Sequence, residues 1–262
     1  MPDEEAAARL ERARSASGND LNALIHEADE KSLLALLENP NIEEPHVTRL
    51  LERLDLSAEL LTAVAEKGKW TSSEGVRLRL ARHPRTPRRI ALSLVRQLYL
   101  FDLVRLSLLP SAPADIRRVA EEVILTRIPH LPVGEKLTLA RRGPARVAGA
   151  LLAEGHPQAL KLVLANAFLT ESQVLKALAK PGVPERVIAA VAQHSKWSTQ
   201  YNVRVALVRN PGTPVPAALA LLSSLNLHDL QDILKTEGLA AHLRKHVQQE
   251  LKRRVGAEES AG

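Results

Sequence analysis

The chain has 262 residues and a net charge of +6, with no cysteine, two Phe, two Tyr, two Trp and one Met. Disulfides, thiolate metal sites and cysteine nucleophiles are therefore excluded. Leu, Ala, Val and Ile do nearly all the apolar filling, which suits closely packed helices of good intrinsic propensity.

The N-terminus, MPDEEAAARLERARS, is acidic and helical in character and lacks the apolar stretch of a secretory leader. No apolar run approaches the roughly 20 residues that span a bilayer, so we expect a cytoplasmic protein with no membrane partner. Residues 1–66 carry 15 acids and 6 bases, whereas residues 67–150 carry 6 acids and 17 bases, 14 of them Arg. Such asymmetry is a pointer towards polyanions. Residues 1–38 are expected to form an acidic helical cap. Within and beyond it, Leu33, Leu34, Leu36 and Leu37 make one apolar helical face, and Val47, Leu50, Leu51 and Leu54 another. Leu60, Leu61 and Val64 follow, then Ile116, Val119, Ala120, Val123 and Ile124, all fitting helical rather than alternating spacing.

Sixteen of the 38 residues from Lys69 to Leu106 recur, ungapped, 127 positions later between Lys196 and Ile233. Trp70 falls on Trp197, Val76-Arg77 on Val203-Arg204, Thr86-Pro87 on Thr213-Pro214 and Asp102-Leu103 on Asp229-Leu230. The chain is internally duplicated, and repetition constrains a fold more than any single motif. VRLRL at 76–80 and VRVALV at 203–208 alternate like strands, but every neighbouring segment is helical, so both are expected to be helices. A Pro-x-x-Pro spacing at 84/87, 110/113, 129/132, 181/184 and 211/214 punctuates the helices. The first proline ends one helix. Thr86 and Thr213 then stand where an N-cap hydroxyl can accept an amide, with Pro87 and Pro214 at the first helical position. Asn39, His83, Asn166 and Asn210 mark similar phases, and a degenerate boundary is expected near Arg127–Pro132. The expectation is an all-α, right-handed α-solenoid of about six units and about 14 to 17 short helices. Residues 39–165 would form its first half, 166–254 its second half with a capping helix, and 255–262 a disordered tail.

The phrase V-R-x-x-L-x-x-N-P-x-T-P, present as VRVALVRNPGTP and VRLRLARHPRTP, resembles bacterial HEAT-like repeats and the related leucine-rich repeat variant proteins. The resemblance covers most of residues 39–235 and implies stacked helix pairs with a concave binding face. One enzymatic group with HEAT-like repeats, the alkylpurine DNA glycosylases, binds DNA along a basic face with Trp, Asp and Arg. Its motif does not map residue by residue onto Trp70, Asp102 or any one arginine, so no catalytic role is carried over.

The leading site candidate is the arginine set Arg79, Arg82, Arg85, Arg88, Arg89, Arg96, Arg117, Arg118, Arg141 and Arg142, since guanidinium groups in rows can follow a phosphate backbone. Aromatic residues for stacking bases are scarce, which favours duplex DNA or structured RNA over single strands. Arg77 and Arg204 recur at the duplication offset and are expected to bond helix-end carbonyls of an adjacent repeat. Trp70 and Trp197 read as packing wedges, and Asp102 and Asp229 as acids complementing helix N-termini. His242 and His246 have a spacing that can serve one metal, with no third ligand fixed. No phosphate-cradling loop, nucleophile elbow or H-E-x-x-H is present. These observations favour a non-enzymatic scaffold, without cofactor or metal, that binds a protein or peptide. Nucleic-acid binding, with or without glycosylase-like chemistry, is the alternative.

Overall fold

The computed structural model describes residues 2–236, 239 and 241–259. Among them are 19 α-helices, one 3-10 turn and no strand, in two compact units, residues 1–126 and 127–262. Unit 1 contains α1 (Pro2–Ser15), α2 (Gly18–Glu27), α3 (Glu30–Leu36), α4 (Glu44–Leu50), α5 (Ala58–Glu66) and the single turn α6 (Gly68–Thr71). It continues with α7 (Glu74–Arg82), α8 (Arg88–Gln97), α9 (Leu100–Leu108) and α10 (Ala114–Arg127), which ends at the unit boundary. Unit 2 contains α11 (Val133–Arg142), α12 (Ala145–Glu154), α13 (Pro157–Leu164), α14 (Glu171–Leu178) and α15 (Glu185–Gln193). Then come α16 (Tyr201–Arg209), α17 (Val215–Leu222), α18 (Leu227–Leu234) and α19 (Ala241–Glu259).

The starts of these helices extend the duplication well beyond the 38 residues in which it is plain. Helices beginning at 18, 30, 44, 58, 74, 88, 100 and 114 have counterparts beginning at 145, 157, 171, 185, 201, 215, 227 and 241, each 127 positions on. Unit 2 therefore repeats unit 1 without insertion across eight helices. The two compact units divide at 126/127, inside the stretch 39–165 that was expected to form the first half. The expected degenerate boundary near Arg127–Pro132 coincides with this division, where Ile128–His130 form the 3-10 turn. The helices outnumber the expected 14 to 17. The last one runs to Glu259, past Val255, where a tail was expected to begin.

Each unit is a stack in which helices touch their neighbours and the helices two places along. In unit 1, α1 packs on α3, α3 on α5, α5 on α7 and α7 on α9. In unit 2, α12 packs on α14, α14 on α16 and α16 on α18, while α11, α13 and α15 form a parallel series. The apolar stripes explain this arrangement. Leu33, Leu36, Val47, Leu50, Leu60, Leu61 and Val64 are buried, as are Ile116, Ala120 and Ile124. Leu54 is a correction. α4 ends at Leu50 and the chain turns, so Leu54 lies beyond the helical stripe and is 69% exposed. The alternating VRLRL and VRVALV segments are helical, within α7 and α16.

Caps and side-chain staples close the helix ends. Asp29, Ser57, Ser73, Thr170 and Asn226 each accept an amide from the first turn of the helix that follows. Thr86 and Thr213 do not cap in this way. Both are buried, and Thr213 donates to the Leu207 carbonyl at 2.5 Å, because Pro87 and Pro214 themselves occupy the N-cap positions.

The recurring Asn/His phase has a clear role. Asn39 donates to the carbonyls of Ala13 (2.8 Å) and Ala16 (2.9 Å) and accepts from the Asn41 amide (2.8 Å). At the same offset, Asn166 donates to Ala140 (2.9 Å) and Gly143 (3.1 Å) and accepts from Phe168 (2.7 Å). Asn210 bonds the Leu178 carbonyl (2.9 Å) and the Gly212 amide (2.9 Å). His83 bonds the Arg53 carbonyl (2.8 Å) and, through Nδ1, accepts from the Arg85 amide (3.2 Å). Each residue turns its own loop while satisfying an otherwise open carbonyl at the end of an earlier helix.

Candidate functional site

Unit 2 contains a cavity of about 920 Å³ along α14 and α16, open to solvent and lined also by residues of the loops 179–183 and 210–212. Its floor is aliphatic, formed by Leu175, Leu178, Val183, Ile188, Val205 and Ala206. Its polar rim is Lys180, Glu185, Tyr201, Asn202, Arg209 and Asp229. A pocket of this size with few polar groups is the ordinary form of a ligand or peptide cleft.

Comparison with unit 1 shows which residues open it. Position 206 is Ala, where the first copy has Arg79. That arginine reaches back to the Gly75 carbonyl (3.3 Å) and lies 3.8 Å from Glu52. Glu52 corresponds to Ala179 and Asp55 to Gly182, whose left-handed φ of +71° allows the tight loop. Arg85, which donates to the Asp55 carbonyl at 2.9 Å, corresponds to Gly212. A Cβ on Gly212 would come within 2.7 Å of Ile188 Cδ1 in the floor. Small residues thus replace long, paired ones at four lining positions.

The rim chemistry centres on Tyr201. Its hydroxyl donates to Asp229 and accepts from the Asn226 amide (3.1 Å), and burial followed by the Asp229 carboxylate pushes its ionisation upward. Asn202 donates to Glu171 (3.1 Å). Arg209 approaches Asp232 only to 4.0 Å, and its buried Nε has no partner among the described residues.

The structure divides the arginine set between the units and commits part of it to internal bonds. Arg79, Arg82, Arg85, Arg88, Arg89, Arg96, Arg117 and Arg118 lie in unit 1, and Arg141 and Arg142 in unit 2. Arg79 pairs with Glu52, Arg88 with Asp115 and Arg118 with Glu122, while Arg85 holds a backbone carbonyl. Arg117 is half-buried and Arg96 is exposed. Arg82, Arg89, Arg141 and Arg142 are exposed and make no ion pair with a described residue. Arg77 and Arg204 bond the turn just before their own helices, Arg77 to the Thr71 carbonyl (2.7 Å) and Arg204 to that of Thr199 (3.2 Å). That is a local tie rather than the expected link to an adjacent repeat.

Trp70 and Trp197 are buried, each under a lysine ammonium, Lys69 at 4.4 Å and Lys196 at 4.2 Å from the ring centroid. Asp102 and Asp229 sit in the first turns of α9 and α18. Asp102 also faces Glu74, and desolvation first, then that second carboxylate, raises its pKa. The side chain of His242 lies outside the described residues, so the His242–His246 pair has no described geometry. No group of three potential metal ligands occurs among the described residues, nor is any helix long and apolar enough to cross a membrane. No family model, curated protein or solved structure matches the chain.

The sequence reading singled out Tyr201 only as part of the duplicated block and passed over Lys180, Asn202 and Arg209. The signal that finds them is a residue-by-residue subtraction of one copy from the other across the full 127-residue register, which exposes the loss of Glu52, Asp55, Arg79 and Arg85.

Proposed function

We propose that the chain is a right-handed α-solenoid of HEAT-like repeats that acts as a non-enzymatic scaffold, holding a protein or peptide segment in the groove of unit 2. The observation that carries this reading is the aliphatic groove itself, opened in one copy of a duplicated unit by small residues where the other copy has paired long ones. Stacking of each helix on the helix two places along supports the solenoid, since such stacks are quasi-one-dimensional and present extended surfaces. The internal pairing of Arg79, Arg85, Arg88 and Arg118 weighs against a nucleic-acid role for the arginine set.

The double substitution Ala179→Glu with Ala206→Arg tests the groove. It installs the Glu52–Arg79 pair of unit 1, which the fold already accommodates at the equivalent sites. A partner cross-linked to residues of α14 and α16 in the native chain should be lost from this variant while its circular dichroism is unchanged. A partner retained in full by the filled variant would remove the groove from the reading. Replacing Arg85, Arg88 and Arg89 with Glu tests the nucleic-acid alternative. If that alternative held, duplex affinity at low salt would drop for all sequences alike.

A further inference from the structure

Resting on the peptide-binding reading, we infer that the occupant of the unit 2 groove is an acidic, aliphatic segment, one that presents carboxylates beside leucine- or alanine-like side chains. The floor sets the apolar half of this description, because every side chain in it is aliphatic.

Spare hydrogen-bonding capacity on the rim sets the acidic half. The acids near the groove are mostly engaged. Asp229 takes the Tyr201 hydroxyl and Glu171 takes Asn202, while Asp232 takes Lys235 at 2.8 Å and lies 3.7 Å from His228. Glu185 is the exception, and it stands in the first turn of α15, where the helix dipole favours a carboxylate. The cations are not engaged to the same degree. The Lys180 side chain is exposed and bonds no described residue, and Arg209 keeps an unpartnered Nε behind its distant approach to Asp232. Unfilled donors call for acceptors, and a carboxylate meets an arginine or lysine with the stronger, charge-assisted bond.

The duplication leaves the net charge of the rim unchanged but alters which cations are paired. Glu52, Asp55 and Glu74 become Ala179, Gly182 and Tyr201 and Glu185 is gained, while Arg79 and Arg85 become Ala206 and Gly212. Arg53, which pairs with Asp55 at 2.7 Å, becomes Lys180 with Gly182 in the place of that acid, and Arg82 remains arginine as Arg209. The wider field agrees. Residues 127–262 carry 18 bases and 10 acids, a net of +8, whereas residues 1–126 carry 18 bases and 20 acids, a net of −2. A net positive unit draws an acidic segment towards the site and repels a basic one.

Fluorescence anisotropy of the full chain with three labelled synthetic peptides tests the inference. One peptide is built of Leu, Ala and Glu, the second has Lys for Glu, and the third has Ser for Leu and Ala. The Leu-Ala-Glu peptide should bind best, weaken about tenfold or more in Lys180→Gln/Arg209→Gln, and be lost in Ala179→Glu/Ala206→Arg. Equal or tighter binding of the lysine peptide, abolished by the filled variant, would overturn the acidic occupant and leave the groove reading standing. Equal binding of the serine peptide, indifferent to filling, would show general attraction to a positive unit and overturn both. If no peptide binds while the cross-linked partner is still lost on filling, the acidic occupant alone is wrong.

Discussion

At the turn that carries the tryptophan, the two units treat the same carbonyl differently. In unit 2, Trp197 Nε1 donates to the Leu164 carbonyl at 2.9 Å. In unit 1 the equivalent carbonyl, that of Leu37, is taken at 2.8 Å by Lys67 Nζ, which also pairs with Glu38 at 2.6 Å. Trp70 Nε1 is left buried without a partner among the described residues. His194 stands where Lys67 does and accepts the Lys196 amide at 3.3 Å, so it does not compete for the carbonyl. The first-turn aspartates diverge in the same manner. Asp229 meets a phenol that donates to it, and Asp102 meets a second carboxylate. One backbone therefore carries two polar solutions, and the copy with the better satisfied interior is also the one with the open groove.

The largest effect should appear where the copies agree. Asn166→Ala leaves the carbonyls of Ala140 and Gly143 and the Phe168 amide open, at a cost of about 3 kcal/mol. Asn39→Ala should cost a similar amount in unit 1. Hydrogen exchange followed separately over the two units reads each loss, and a cost confined to one copy would break the equivalence. Where the copies differ, the effect is smaller. Trp197→Phe should cost about 1 kcal/mol more than Trp70→Phe, because only the former breaks a hydrogen bond, and equal losses in denaturant titrations would contradict that difference.

The smallest effect depends on pH. A raised Asp102 pKa means that the folded state holds its proton more tightly than the unfolded chain does. Stability therefore falls as pH rises from the ordinary aspartate range through the raised value, and the penalty persists above it. Asp102→Asn should stabilise unit 1 by under about 1 kcal/mol at neutral pH, with the gain vanishing at pH below the ordinary aspartate value. Asp229→Asn should give no such gain, since Tyr201 satisfies that carboxylate. A pH-independent gain in Asp102→Asn would point to packing instead.

The helices were legible because aliphatic stripes and proline breaks act locally, as at Leu60–Val64 and before Pro84 and Pro211. The reach of the duplication was only partly legible. Over residues 69–106 it shows as 16 identities in 38, but residues 18–66 share only 12 of 49 with 145–193, too few to stand out without the helix starts. Those segments fill their own cores with interchangeable aliphatic side chains, Leu60 and Leu61 in one copy corresponding to Val187 and Ile188 in the other, so identity is low while register holds. The groove was not legible at all. It is made of what Ala179, Gly182, Ala206 and Gly212 lack, and a missing side chain becomes informative only beside a copy that has it. The pairing of the arginines was hidden for the opposite reason. Their number was plain, but Glu52, Asp115 and Glu122, which occupy several of them, are distant or unremarkable in sequence.

A shared spacing of 127 residues between eight pairs of helix starts also makes the units interchangeable parts. Residues 145–193 can be spliced in place of 18–66 without moving any later residue from its present position, and the reverse graft is equally neutral in length. Such chimeras would carry the Lys180 and Gly182 loop into the first unit, or the Arg53–Asp55 loop into the second. Cutting and rejoining at these seams would thus relocate half of the groove, loop and α14 side together, while the α16 side stayed behind.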